Sequence, residues 1–259
     1  MLFINTRPAD RACALSQALR QQAWSVIELP LLELQACPWS DALAQLYQQL
    51  LQAQRIVVVS PTAVHIGIEY LAKSGIHLDQ LQHLQWIAVG EKTAQVLAEY
   101  GISSAVPEVE TSEGMLELPL LKSLAAGSCI AFWRGEGGRQ FMMDSLQQAG
   151  MQILNFILYQ RQCPAASIQQ MPTLLPQLQQ HPDYWMLISS EASWLNWLRL
   201  SQAQKELLNR GRYLVLGDRL EALLMDYQQQ HHTRFQLIKL TNLKTETILQ
   251  QIELKSGHA

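Results

Sequence analysis

Leu2-Phe3-Ile4-Asn5-Thr6-Arg7 and Cys129-Ile130-Ala131-Phe132-Trp133-Arg134 are one kind of segment written twice: an apolar, strand-like run closed by an arginine, with the two arginines 127 residues apart. The echo continues around them. Cys37-Pro38 returns as Cys163-Pro164 after 126 residues and Val89-Gly90 as Leu216-Gly217 after 127, while Ser60, closing Arg55 to Val59, returns as Ser190 after 130. Four matches in one order at nearly one spacing indicate a duplicated unit. Two similar lobes facing each other would leave a cleft, the usual place for a ligand.

Short β-rich runs alternate with helical segments along the chain, which predicts α/β lobes with parallel sheets covered on both faces. The predicted strands are residues 2–7, 24–29, 55–60, 85–90, 104–107, 129–134, 152–158, 184–189, 213–217 and 235–240. Ten strands fit two five-stranded sheets. Residues 10–22 predict a helix with Ala12, Leu15, Ala18 and Leu19 as its apolar stripe, and 41–53, 63–73, 92–100, 138–148 and 219–227 read the same way.

The extended stretches 26–36 and 153–162 are too long for sheet strands of about five to six residues, so each is expected to leave one lobe and cross to the other. Both end in Cys-Pro, where proline stops the strand, with Ser40 or Ser167 near the start of the next helix. On this reading lobe one is discontinuous, residues 1–34 plus 162–259, and lobe two is 35–161. The two crossings would then form a two-stranded hinge about which the lobes move.

Composition narrows the partners. The chain has 259 residues, 48% of them hydrophobic, and a formal net charge of −3, with Lys and Arg scattered rather than gathered into the basic stripe that nucleic acid requires. There is no basic leader followed by an apolar stretch, and no apolar run approaches roughly 18 residues, so the expectation is a cytoplasmic protein without a membrane partner. Cys13, Cys37, Cys129 and Cys163 are too widely spaced for a CxxC redox pair or zinc ribbon. His231-His232 lies in a polar stretch without acidic or thiol partners at ligand spacing and reads as a solvated turn.

Three strand-to-helix junctions could bind a ligand, because parallel sheets do so at the carboxyl ends of their strands. Ser60-Pro61-Thr62 is a helix start, with serine suited to the cap and proline to the first helical position, and Ser189-Ser190-Glu191 is its counterpart. These serines can cap helices, hold anions, or do both. At Gly90-Glu91-Lys92-Thr93 the glycine allows close approach, while the Lys92 ammonium and the Thr93 hydroxyl could meet carboxylates. The second copy, Gly217-Asp218-Arg219-Leu220, keeps the glycine and a cation but loses the hydroxyl. Arg134-Gly135-Glu136-Gly137-Gly138-Arg139, glycine-rich with two cations, fits neither GxGxxG nor GxxxxGK[ST], and its glycines read first as a flexible connection. Tyr159 sits in the return crossing, Asn155 to Arg161, with a phenol that could face the cleft.

Taken in order, Thr6-Arg7-Pro8-Ala9, Val58 to Val64, Ala88 to Ala94, Gly101 with Pro107, Ser112-Glu113-Gly114, Trp133-Arg134-Gly135, Leu146 to Gly150 and Leu158-Tyr159 resemble the uroporphyrinogen-III synthase family across almost the whole chain. The resemblance implies two similar five-stranded parallel-sheet, flavodoxin-like lobes joined by a two-stranded β-ladder. It also implies a monomeric enzyme of haem biosynthesis that uses neither cofactor nor metal. Its substrate would be hydroxymethylbilane, a linear tetrapyrrole with eight carboxylates, with room for transient contact with hydroxymethylbilane synthase. Ring closure would pass through an azafulvene and a spiro intermediate and invert ring D. Tyr159 would assist departure of the hydroxyl, and Arg7, Ser60, Thr62, Lys92, Thr93, Arg134, Ser190 and Asp218 would bind substrate. The sequence departs from the family pattern at Leu220, where a threonine is common, leaving Asp218 or Arg219 to compensate. The rival reading is a non-enzymatic bilobed binding or sensor protein.

Overall fold

The computed structural model describes residues 1–137 and 140–256. The chain begins with β1 (Leu2–Asn5), α1 (Ala9–Gln21) and β2 (Ser25–Glu28), then enters β3 (Glu33–Ala36) and α2 (Asp41–Leu50). β4 (Arg55–Val58), α3 (Pro61–Lys73), β5 (Gln85–Ala88), α4 (Glu91–Glu99), β6 (Ser104–Ala105), α5 (Ser112–Leu116) and α6 (Pro119–Lys122) follow. β7 (Cys129–Gly135), α7 (Phe141–Gln148), the long β8 (Gln152–Gln162) and α8 (Ala165–Gln180) come next. The chain closes with β9 (Tyr184–Ile188), α9 (Glu191–Leu200), α10 (Lys205–Asn209), β10 (Gly211–Leu216), α11 (Gly217–His231), β11 (Gln236–Leu240) and α12 (Thr245–Ser256).

The chain divides into two compact units, Met1–Glu33 with the segment from Gln162 onward, and Leu34–Arg161. Strand order is β11-β10-β9-β1-β2 in the first unit's sheet and β3-β8-β7-β4-β5-β6 in the second's. The repeat matches β1, β9 and β10 to β7, β4 and β5, and the order of the remaining strands matches β2 to β8 and β11 to β6. With those substitutions the first order becomes the second, apart from β3. β1 pairs in parallel with β2 and β9, and β7 in parallel with β8 and β4. The order of strands reverses beside β1 in one sheet and beside β7 in the other, the position at which doubly wound sheets open a crevice at their carboxyl ends.

The second sheet has six strands rather than the expected five. Pro30, which has no N–H to donate, interrupts the long run expected over residues 26–36, and the chain restarts as β3 beside β8. Other expectations shift for local reasons. Ser40 caps α2, accepting the Leu43 N–H at 3.3 Å, but Ser167 is buried inside α8 and donates to the Pro30 carbonyl at 2.7 Å. His231-His232 is no loop: α11 runs to His231, whose ring stacks on Tyr227 at 4.2 Å, and His232 ends the helix at φ 51°. The helix expected over residues 138–148 is seen as α7, with Gly138 and Arg139 outside the described residues.

Each strand feeds both faces of its sheet, as the two-residue period requires. In the second unit Ile56, Val58, Ala131 and Trp133 enter one cluster with Tyr47 and Phe156, while Val57, Ile130 and Phe132 enter another with Met142 and Leu146. In the first, Ile4, Met186 and Ile188 lie opposite Phe3, Trp185 and Leu187. The two copies fill corresponding positions differently. Gly67 in α3 leaves the space that Trp133 fills, since a Cβ on Gly67 would stand 2.1 Å from the indole. Their counterparts by the repeat are Trp197 and Thr6, with the bulk on the helix and the small residue just past the end of β1. Among the described residues no helix is long and apolar enough to cross a membrane, and all four cysteines are free.

Candidate active site

The carboxyl ends of β4, β7 and β8 enclose a pocket of about 220 Å³, lined by Val57, Val59, Phe132, Met142 and Met143 on its apolar side and by Ser112, Arg134, Tyr159 and Arg161 as its polar groups. The fold brings Ser60 and Tyr159, 99 residues apart, into a hydrogen bond of 3.0 Å between hydroxyls. Ser60 is the N-cap of α3, and its Oγ already accepts the Ala63 N–H at 3.1 Å. Its remaining proton can pass to the phenol oxygen, which leaves the phenol proton free for a ligand.

Tyr159 is almost wholly buried and held from three sides. A register shift between Arg134 and Gly135 places Gly135 opposite Tyr159. The Tyr159 carbonyl accepts the Glu136 N–H at 2.6 Å. A Cβ on Gly135 would stand 2.4 to 2.9 Å from three carbons of the phenol ring, so only glycine allows the ring to lie flat against the strand. Sequence reasoning singled out the glycine-rich stretch but not this function; its signal was the glycine at the end of an otherwise bulky strand.

Arg134 lines the pocket, yet its donors point back into the protein. Nε donates to the Gly135 carbonyl at 3.2 Å, Nη2 to the Gly137 carbonyl, and Nη1 faces the Met143 sulfur at 3.5 Å. It therefore shapes the turn after β7. Burial lowers its pKa from the usual value, and the neighbouring Tyr159 opposes that shift. Arg161, two residues beyond Tyr159 on β8, also lines the pocket and was not foreseen, although strand alternation puts residues i and i+2 on one face.

The remaining expected residues are not part of this pocket's lining. Thr62 is half-buried in the first turn of α3, whose amides lack intrahelical partners. Lys92 is exposed and Thr93 buried in the first turn of α4. That helix start already holds a carboxylate: Glu110 accepts the Glu91 N–H at 2.8 Å and packs so closely that a Cβ on Gly90 would stand 2.3 Å from its carboxyl carbon.

Arg7, Ser190 and Asp218 belong to the first unit. Arg7 is half-buried and reaches the Leu243 carbonyl at 3.4 Å; burial first, then the charge of Arg11, lowers its pKa. Ser190 caps α9, accepting the Ser193 N–H at 3.1 Å and meeting the Ser193 hydroxyl at 2.8 Å. Asp218 is exposed and bonded to Lys239 at 2.7 Å, which lowers its pKa through hydrogen bonding and charge. Arg219 pairs with Glu191 at 2.9 Å, and Leu220 is buried. The first unit has its own pocket of about 240 Å³ at Ser189, Ser190, Leu216 and Leu220, with neither a phenol nor a buried cation among the described residues of its lining.

A buried phenol beside a helix cap and two guanidinium groups can donate a proton to a leaving hydroxyl and hold a carboxylate nearby. The family model for uroporphyrinogen-III synthase HemD matches residues 14–233. A uroporphyrinogen-III synthase of Salmonella typhimurium is 30% identical over 166 residues, 62% of this chain and 65% of that protein. One of Synechococcus elongatus is 27% identical over 176 residues, 63% of this chain and 61% of that protein. The chain thus spans somewhat under two thirds of the curated relatives it matches. In structure, a mutant uroporphyrinogen III synthase of Thermus thermophilus superposes with a TM-score of 0.62 and the uroporphyrinogen-III synthetase of Helicobacter pylori with 0.58, each 16% identical with all of both chains covered, which extends the likeness of fold over the full length. With most of its length inside the family model, the chain belongs to the uroporphyrinogen-III synthase family.

Proposed function

We propose that this protein cyclises hydroxymethylbilane to uroporphyrinogen III, with Tyr159 as its catalytic residue. The terminal hydroxyl leaves as water with a proton donated by Tyr159, and the ring that carried it gives up its pyrrole N–H proton to become a neutral azafulvene. The already substituted carbon of ring D attacks that centre to give a spiro intermediate; the older bond from that carbon to the methylene bridge of ring C then breaks and re-forms at the free α-carbon of ring D, which loses its proton, closing the macrocycle with ring D inverted. The observation that carries the reading is the Tyr159 phenol, bonded to Ser60 at 3.0 Å and facing a mixed apolar and cationic pocket. General acid assistance by such a group is worth about 10²- to 10⁴-fold.

The pocket's 220 Å³ is below the roughly 300–1,000 Å³ of sites that hold drug-sized ligands, so it suits one end of a linear tetrapyrrole rather than its whole length. Steering a reactive chain towards one of two closures is a matter of orientation. Ser60 acts through its bond to Tyr159, while the Thr62 amide at the start of α3 and the Ser112 hydroxyl provide polar anchors for carboxylates without a strongly basic protein, in keeping with the net charge of −3. Arg7, Thr62, Lys92, Thr93, Arg134, Ser190 and Asp218 complete the proposed binding set, Arg134 by fixing the turn around Tyr159. The reading includes action as a cytoplasmic monomer supplied by hydroxymethylbilane synthase. The test is to give the protein hydroxymethylbilane and separate the isomers formed: isomer III well above the spontaneous background is expected, and isomer I alone at the spontaneous rate would overturn the proposal.

A further inference from the structure

We infer that Arg161 is the residue that grips a substrate carboxylate beside Tyr159, the task the sequence had suggested for Arg134; the inference rests on the function proposed above. Two guanidinium groups line the same pocket, and the geometry divides their work. Arg134 is buried, and its Nε and both Nη atoms face the Gly135 carbonyl, the Gly137 carbonyl and the Met143 sulfur. Arg161 is exposed at the rim. Among the described residues its one side-chain hydrogen bond runs from Nη1 to the Glu136 carbonyl at 3.4 Å, longer than an ordinary N–H···O bond. Its other N–H groups remain for a ligand.

The pocket's charge points to what that ligand is. Among the described residues its lining contains two cations and no Asp or Glu, and Arg134 has no acidic partner. Buried positive charge without a counter-ion is costly, and an incoming carboxylate would relieve it. A guanidinium fork matches a carboxylate in two parallel bonds, which fixes direction as well as position. Tyr159 and Arg161 are two residues apart on one strand face, so a carboxylate held by Arg161 sets the pyrrole that bears it next to the phenol. Arg161 thereby acts in binding, ahead of the bond-breaking step.

The experiment measures hydroxymethylbilane turnover and, separately, binding of uroporphyrin III by quenching of tryptophan fluorescence. In Arg161→Gln we expect KM to rise about tenfold with kcat within about threefold, and porphyrin affinity to fall about tenfold at low salt, with the gap narrowing as salt rises. Arg161→Lys, which keeps the charge but loses the fork, should fall between the two and serves as the test if the glutamine variant does not fold. KM and porphyrin affinity both within twofold of the parent would overturn the inference. A parent that forms only isomer I would instead overturn the proposed function, and the porphyrin titration would still decide whether Arg161 binds a carboxylate.

Discussion

The two copies share one strand order, yet their carboxyl edges have diverged. In the second unit the edge is open around Tyr159: Ser60 shares its hydroxyl with the phenol and, among the described residues, Arg161 leaves donors unused. In the first, the equivalent groups are paired with one another, Ser190 with Ser193, Arg219 with Glu191 and Asp218 with Lys239. Gly90 is extended where Gly217 has φ 74°, and the buried Leu220 stands where the second unit has Thr93. A duplicated sheet evidently constrains where a site can form more than what it contains. The strand order is a property of the whole unit, whereas a junction changes with one or two side chains.

The sharpest way to break this comparison is Tyr159→Phe. Isomer III formation should fall on the order of 100-fold while the circular dichroism spectrum is unchanged, and Ser190→Ala should cost far less. Equal losses from the two variants would mean that the copies are not specialised. Gly135→Ala comes next. A methyl group at 2.4 Å from the phenol must push the ring off its strand, and a fall in kcat of about tenfold is expected. Added to Tyr159→Phe it should cost little more, since the two changes act on one group.

Smaller effects concern stability. Gly67→Ala drives a methyl group into Trp133 and should lower the unfolding free energy by about 1–3 kcal/mol in urea titrations. The smallest effect belongs to Asp218→Asn. Lys239 lowers the pKa of this exposed carboxyl, so its contribution is present above the ordinary aspartate range and disappears as pH falls through the depressed native value. At neutral pH and moderate salt the variant and the parent should unfold at nearly the same urea concentration. A clear difference there would show that the first unit's pairs do more than neutralise one another.

Much of this was readable in the chain because parallel strands announce themselves as short apolar runs, and because each run was written twice. The misreadings have physical causes. Residues 26–36 looked like one extended crossing until Pro30 divided it, and only the neighbouring β8 made Glu33–Ala36 a strand. The helix expected to start near Ser167 did form, as α8, and persists through Pro172 and Pro176 with Met171, Leu174 and Leu178 buried in the core. Tyr159 was visible by its place in the return crossing, but its bond to Ser60 joins residues 99 apart and has no local signature. Arg161 was within reach through strand alternation. Glu110 was not, because nothing around it announces that its carboxylate would cover the start of α4.

The exchange of bulk between the two cores has a further consequence for how the chain reaches its folded state. Twin sheets of one order invite mistaken partnerships during folding, with a helix of one copy docking on the sheet of the other. Gly67 packs on Trp133 where the repeat puts Trp197 and Thr6, and that inequality of bulk makes those partnerships unequal. Exchanging the helices would set two indoles against each other in one core and leave a void in the other, and both errors are costly in close-packed interiors. A single complementary swap of large and small therefore lets a sequence that folds twice tell its own halves apart.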